Sequence, residues 1–340
     1  MKLVISLDVE EDGLFSGRYL REPPGVSNVA ALERLAFIPR EFGWPLTLLL
    51  SYQVAASDTA RPIIEKWRDR YQAEIGAHLH HWNTPPFTAV EETAEVGSKH
   101  LSPAILLAKL KTLQQTIRDH FGCYPQVFRM GRFDWRPELL AQLPELGCRI
   151  DSSMVPLAHY SGQADQFLIP PDPFRLEMGR PDRSLVEVPV TMIAVVPGMA
   201  AAYWRLARQL RPAWRQGLLG RFRRWGAAGI HPTWFPLPSM RLAAGLHRGR
   251  GGQVLTMFLH AAELHPGATP FFPSEASVSR LVRKIKVFLT WLIQTGPIRG
   301  VPLSEAATGL HLPTLALRPD REPFVYQPQI PGAADGQGSS

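Results

Sequence analysis

Two short stretches concentrate side chains that can do chemistry. EIGAHLHHWNTPPF, residues 74–87, places three histidines within four positions, and VISLDVEEDG, residues 4–13, supplies carboxylates at the close of an apolar run. On an extended chain, residues two apart leave the same face. His78 and His80 therefore point one way and His81 the other, while Asp8 and Glu10 share a face. Two histidines plus one carboxylate leave a coordination position open, the ligand set of a catalytic zinc site rather than a structural one. A histidine pair on a buried strand can equally be hydrogen-bonded within a core, and HxH by itself leaves both readings standing. Asp8 ends a nearly all-apolar strand, where an unpaired carboxylate would be costly. Glu11 and Asp12 read as loop or cap residues.

Three more segments end in reactive groups: FRMGRFDW (128–135) with Arg129, Arg132 and Asp134; RIDSSMVP (149–156) with Asp151 between an apolar residue and two serines; and TMFLHAAELHPG (256–267) with His260, Glu263 and His265. Each has a structural alternative, as ion-pair partner, turn residue or capping acid. Their common place after apolar runs favours one shared site.

The elements that must position them alternate. Strands are predicted over KLVISLDV, PLTLLLSY (45–52), EIGAHLH, QVFRMG, CRIDSSM, LVEVPVTM (185–192) and VLTMFLH (254–260). Helices are predicted over 29–43, 60–72, 102–122, 136–147 and 277–296, with Pro62 and Pro103 in first turns and Gly43, Gly122 and Gly147 as stops. Such alternation specifies an α/β fold, a parallel sheet or (β/α) barrel with functional groups at the carboxyl ends of its strands. Residues 160–183 read as a long loop, and the last ten have the composition of a disordered tail.

The 340 residues are 45% hydrophobic and 20% charged, an ordinary globular balance. Cys123 and Cys148 make no CxxC spacing, which points to a reducing compartment and a cytoplasmic location. The start is too short and too acidic for a signal peptide, and no apolar run reaches spanning length. The net charge of +7 invites a nucleic-acid reading, but much of the excess sits in WRLARQLRPAWRQGLLGRFRRWG, residues 204–226, where arginines alternate with apolar residues and no acid appears. That segment reads as a solvated basic helix pair packed on the barrel, or as a contact with an anionic membrane surface or acidic ligand.

SLDVEEDG, GAHLHHW, FRMGRFDW, RIDSS and LHAAELHPG, in this order, resemble the five motifs of the polysaccharide deacetylases, the NodB-homology enzymes of carbohydrate esterase family 4. The opening and the GAHLH-W-x-x-PP segment look like a branch associated with lipopolysaccharide biosynthesis. The resemblance spans about residues 3–310. It implies a distorted (β/α)7 barrel over 1–312 with a basic insertion around 199–230, followed by an extension over 313–340. It also implies removal of an N- or O-acetyl group from a sugar with the help of a divalent metal, most simply Zn2+. Carried across position by position, Asp8 is the base and Glu10 a metal ligand, with an exchange of those roles left open. His78 is the first histidine ligand, Arg129 orients the base, Asp151 is the acid of the fourth motif, and His260 is the general acid. The family's second histidine lies four residues after the first, and here that position is Trp82. His80 is the replacement on the strand-face argument, with His81 as the fallback. Trp82, Trp135 and Glu263 are assigned to the substrate on position alone.

The implied substrate is an acetylated sugar on a lipid- or nucleotide-linked precursor of a surface polysaccharide, handled at or near the inner membrane and without nucleic acid. Two other functions fit the same residues: a metal-free glycoside hydrolase using Asp8 and Glu263, and a non-catalytic carbohydrate-binding or assembly protein, for which Trp82 in place of a ligand is the best support. Chelator sensitivity separates the first from the deacetylase, and metal content the second.

Overall fold

A computed structural model describes residues 1–17, 25–88, 98–159, 166–177 and 184–316. The tail expected to be disordered and parts of the expected 160–183 loop lie outside the described residues.

Twelve strands are described: β1 (Lys2–Val9), β2 (Thr47–Leu50), β3 (Glu74–Leu79), β4 (Val127–Met130), β5 (Ile150–Asp151), β6 (Phe174–Glu177), β7 (Ser184–Glu187), β8 (Met192–Ala194), β9 (Ala227–Gly229), β10 (Val254–His260), β11 (Arg299–Gly300) and β12 (Thr314–Ala316). The helices are α1 (Tyr52–Ala55), α2 (Arg61–Tyr71), α3 (Pro103–Phe121), α4 (Pro137–Leu140), α5 (Met199–Arg208), α6 (Pro212–Trp225), α7 (Leu237–Gly249) and α8 (Glu275–Gln294).

The main sheet runs β10-β1-β2-β3-β4-β5-β7-β6-β12, with β11 on β1, and all its pairs are parallel except β6 with β7. Beyond β7 the chain crosses to the far edge. Val190 N donates to Met154 O at 3.1 Å, Thr191 N to Thr256 O at 3.0 Å, and Thr256 N to Thr191 Oγ1 at 2.7 Å. This crossing joins β5 to β10 and gives a distorted barrel of seven strand positions.

Even-numbered residues of β1 face the barrel axis. Val4, Leu49, Val127, Ile150 and Val254 fill its lower end, which Val301, Leu303 and Ala306 plug. Odd-numbered Leu3, Ile5, Leu7 and Val9 belong to the larger core shared with the helices. The interior is narrow: a Cβ on Gly76 would stand 2.5 Å from side-chain carbons of both Leu49 and Val127. Above the apolar layer come Ser6, Asp8, His78 and Arg129, so these polar groups collect at the carboxyl ends of the strands, whereas Asp151, in register with Phe128, faces the other side of the sheet.

Several expectations need correction, most of them because of proline. Over 29–43 the chain forms a 3-10 segment, Ser27–Leu35, then a single π turn, Ile38–Phe42, because Pro39 supplies no N–H to a regular ladder. LVEVPVTM is two strands in two sheets, separated at Pro189. Helix 136–147 shrinks to one turn of α4 and a 3-10 turn beginning at Pro144. The expected 160–183 loop contains β6, whose FRLE alternates between buried and exposed residues against β7. The basic segment forms the pair α5–α6 on the β8–β9 ribbon. No helix among the described residues is long and apolar enough to cross a membrane.

Candidate metal centre and active site

Glu10 reaches between two imidazoles. Its Oε1 lies 3.0 Å from His78 Nε2 and 3.0 Å from His80 Nε2. Glu10, His78 and His80 form a buried group whose ligand atoms all lie within 4.8 Å of one another. The outer nitrogens are fixed as well. His78 Nδ1 lies 3.0 Å from Arg129 O, a group that can only accept, so this nitrogen donates and leaves the Nε2 lone pair facing inward. His80 Nδ1 faces Glu11 Oε1 at 2.8 Å, and Asn83 Nδ2 donates to the same oxygen. Histidines that bind metal are oriented by such outer carboxylate or carbonyl partners. The donor set therefore fits a divalent cation.

Burial alone would lower His80, but the Glu11 charge and the hydrogen bonds of both glutamates push it up to about 10. Burial would likewise raise Glu10, yet the charge of His260 and the bonds from His78 and His80 hold it well below the usual carboxylate range. Glu11 is also lowered, its burial outweighed by His80. A cation bound by these nitrogens takes the place of the proton that the carboxylates otherwise favour.

His80 occupies its place because residue 131 is glycine. A Cβ there would stand 2.6 Å from His80 Cδ2 and 2.8 Å from Leu79 O. Gly131→Ala should therefore displace the imidazole and weaken metal binding by about 10–100-fold, the scale of losing an outer partner. Titration of the purified variant with zinc checks this, and unchanged affinity would show that His80 is not a ligand.

Beside the cluster lies a second group of residues. Asp8 Oδ1 accepts from Arg129 Nη1 at 2.6 Å, and Asp8 Oδ2 lies 3.9 Å from His78 Nε2 and 4.0 Å from His260 Nε2. Arg129 is fully buried. Its Nε donates to Ser152 O at 2.8 Å and its Nη2 to Ser6 Oγ and Ser152 Oγ, each at 2.9 Å. His260 Nδ1 is 3.4 Å from Glu263 Oε1, and His260 N donates to Glu263 Oε2 at 3.3 Å. Burial would lower His260, but the charges of Glu10, Glu263 and Asp8 push it up to about 9.

The structure thus brings Asp8, Glu10, His78, His80, Arg129 and His260 together. Three other residues, Glu263, Trp135 and Asp151, lie elsewhere than their expected roles require. Glu263 is 1% exposed behind His260, so it positions that ring instead of meeting a substrate. Trp135 is buried at 1% and offers no face to a sugar. Trp82 lines the cavity, but its ring is stacked on His80 at 4.3 Å. Asp151 points away from His260 toward Glu187: it accepts from Ser153 Oγ at 2.5 Å and pairs in register with Glu187. His81 is buried edge-on against Trp82, outside the ligand cluster. Asp12 caps the 3-10 segment, accepting from Ser27 N at 2.7 Å and Asn28 N at 3.1 Å.

Asp151 and Glu187 form a buried acid pair on the neighbouring strands β5 and β7. Burial raises both carboxyls, and the charge of Asp151 raises Glu187 further, to well above the usual range. Asp151 Oδ2 and Glu187 Oε2 meet no donor among the described residues, so one proton shared between the two acids satisfies both. An acid whose pKa rises on folding holds more protons folded than unfolded, so stability falls as pH climbs from the ordinary carboxylate range through the raised value. Glu187→Gln keeps an oxygen for Met154 N, which donates to Glu187 Oε1 at 3.0 Å, and supplies its own N–H to Asp151. Urea unfolding from about pH 5 upward should show the wild type losing stability faster than this variant. Parallel curves would place the shared proton elsewhere.

Sequence reasoning missed His231, Phe15 and Phe271. His231 follows β9; its Nδ1 accepts from Thr233 N at 3.2 Å and Trp234 N at 3.1 Å, and it groups with His260 and Glu263. Burial and the charge of His260 hold it well below the usual histidine range, so it is a neutral neighbour. The short strand AAG ahead of it gave almost no periodic signal. Phe15 stands edge-on to His260 at 5.2 Å and to Phe271 at 6.3 Å, adding an aromatic ring beside Trp82 in the cavity lining. Arg132 and Phe133 hold φ of 59° and 52°, left-handed strain of the kind that gathers at functional sites. The cavity between these groups is about 140 Å³, lined by Glu10, His80, Trp82, Arg132, His260 and Phe15, with Leu14 at its side. A larger cavity of about 560 Å³ sits by the start of β10 under proline, leucine and alanine, away from the cluster, and its Asp172 and His247 are paired at 3.1 Å. The smaller cavity is the one where ionisable groups converge.

The sequence matches no protein-family model and no curated protein. Likeness appears in three dimensions. A protein from Mycobacterium smegmatis described as a polysaccharide deacetylase is similar with a TM-score of 0.52 at 15% identity, covering 94% of both chains. One from Parabacteroides distasonis, described as a glycoside hydrolase/deacetylase, gives 0.58 at 13% identity, covering 89% of this chain and 70% of that one. The 4-alpha-glucanotransferase of Thermococcus litoralis gives 0.54 at 12% identity, covering 94% of this chain but 42% of its own. The chain has the fold of the NodB-homology polysaccharide deacetylases, with a buried His/Glu cluster at its strand ends. That barrel is shared with a glucan transferase, so the chemistry rests on the site.

Proposed function

We propose that the protein is a metal-dependent deacetylase that removes an N-acetyl or O-acetyl group from a sugar, on a precursor of lipopolysaccharide or another surface polysaccharide. The observation that carries this reading is the convergence of Glu10 Oε1 on His78 Nε2 and His80 Nε2 at 3.0 Å each, with Asp8 and His260 at its edge. The surface-polysaccharide context is supported by the SLDVEEDG and GAHLHHWNTPP segments.

A zinc or similar ion held by Glu10, His78 and His80 would polarise the acyl carbonyl and lower the pKa of water. Asp8, held by Arg129 through Oδ1, keeps Oδ2 toward His78 and His260, where it can accept a proton from water. His260, oriented by Glu263 and favoured in its protonated form, carries a proton at Nε2 for the departing nitrogen or oxygen. Because Asp8 is engaged by Arg129 while Glu10 meets both imidazoles, the base falls to Asp8 and the ligand to Glu10. Phe15 and Phe271 offer apolar surface to a sugar ring at the mouth.

The glycoside hydrolase reading loses its second acid, since Glu263 is buried behind His260. The test is elemental analysis of the purified chain together with acetate release from N- and O-acetylated amino-sugar oligomers, with and without chelator. About one bound ion and chelator-sensitive release that zinc restores is the expected result. Failure to bind zinc when it is supplied sinks the reading, as does glycosidic cleavage that persists in chelator.

A further inference from the structure

The hairpin α5–α6 is amphipathic, and among the described residues part of its apolar surface stays exposed. Its inner face is anchored: Trp204, Ala207, Leu219 and Phe222 are buried, and Phe222 packs on Phe167 at 5.2 Å. Its outer face carries an apolar strip. Tyr203, Leu206 and Leu210 follow at helical spacing, as do Trp214, Leu218 and Trp225 on α6. The two rows meet where Tyr203 Oη donates to Leu218 O at 3.1 Å and the Tyr203 ring stands edge-on to Trp225 at 5.3 Å. Trp214 is 73% exposed, Trp225 56% and Leu206 55%. Large apolar side chains gathered on one face mark an interaction surface.

Arg205, Arg208, Arg211, Arg221 and Arg224 are exposed along the same hairpin. From Val188 to Ala262 the sequence holds ten arginines and no acid, so with a net charge of +7 for the whole chain the remainder is net acidic. The positive charge is thus concentrated around the apolar strip. We infer that this hairpin docks the protein on an anionic phospholipid bilayer, lying in the plane of the interface with Trp214, Trp225, Leu206 and Leu210 at the acyl boundary and the arginines among the headgroups. Tryptophan favours that boundary. A second copy of the chain is disfavoured as the occupant, because a symmetric contact would set the same arginines against each other. A nucleic acid would pair the arginines and stack the indoles, yet would leave both leucines in water.

Flotation of the full chain with vesicles tests this. Folded wild type should float with phosphatidylcholine–phosphatidylglycerol vesicles (two to one) at low salt, stay behind with pure phosphatidylcholine, and release as salt rises. Its tryptophan emission should shift to the blue on binding. Leu206→Ser with Trp214→Ser, and separately Arg221→Gln with Arg224→Gln, should each weaken binding about tenfold or more while circular dichroism and melting stay unchanged. The proposal is overturned if folded wild type ignores anionic vesicles at low salt, if folded variants bind as well as wild type, or if the chain self-associates through the hairpin without binding lipid.

Discussion

His80→Ala should abolish stoichiometric metal binding, whereas His81→Ala should retain it. His80 Nε2 is one of three atoms converging on a single point, and Glu11 and the bare backbone of Gly131 hold its ring there. Losing an outer partner of a ligand costs about 10–100-fold in affinity, and losing the ligand itself should cost more than that. With only Glu10 and His78 left, a dication would have two protein donors where catalytic zinc sites use three. His81 lies in the turn after β3, packed edge-on to Trp82 and outside the ligand cluster. Elemental analysis after dialysis, on variants whose melting shows them folded, separates the two. Metal retained by His80→Ala but lost from folded His81→Ala would reverse the assignment and remove the structural basis of the HxH site.

Arg129→Leu should cost about 3–5 kcal/mol of stability, the scale for removing one partner of a buried ion pair, and should eliminate activity in whatever folds. The guanidinium satisfies Asp8, Ser6 and both oxygens of Ser152, and it lies over the rings of Phe133 and Phe258 at 5.6 and 5.4 Å. Without it the Asp8 carboxylate stays buried, with its nearest imidazole nitrogens 3.9 and 4.0 Å away, beyond hydrogen-bond distance. Removing both charges, as Asp8→Leu with Arg129→Leu, should recover part of the loss, since paired charges replaced together by apolar groups are often tolerated. Urea denaturation of the single and double variants reads this out. Equal losses would mean that the guanidinium serves the packing of the barrel and not the charge of Asp8.

The hairpin and the metal centre make independent claims. Vesicle binding can fail while zinc binding and acetate release hold, and the reverse is equally open to measurement. Together they would place a deacetylase on an anionic surface, which suits a lipid-linked precursor.

The sequence by itself determined the parts governed by short periodicities. Continuous apolar runs alternating with helical spacing required parallel strands, and alternation by two put Asp8 with Glu10 and His78 with His80 on common faces. The pairing of those faces in one barrel came from the ordered motifs, because no local rule carries contacts across 70 or 120 residues. Only the tertiary structure decided which second group each side chain meets. Glu263 turned out to hold His260, because a 3-10 turn after β10 brings a residue three positions on back to the ring. Asp151 found Glu187, because β5 and β7 are neighbours in the sheet although 36 residues separate these acids in sequence. Burial withdrew Trp135 from the cavity, which Phe15 lines beside Trp82. These outcomes depend on strand order, register and packing depth, which are properties of the assembled barrel. A residue's type sets what it can do, but its neighbours set its charge state and its exposure, and those neighbours are chosen by the fold.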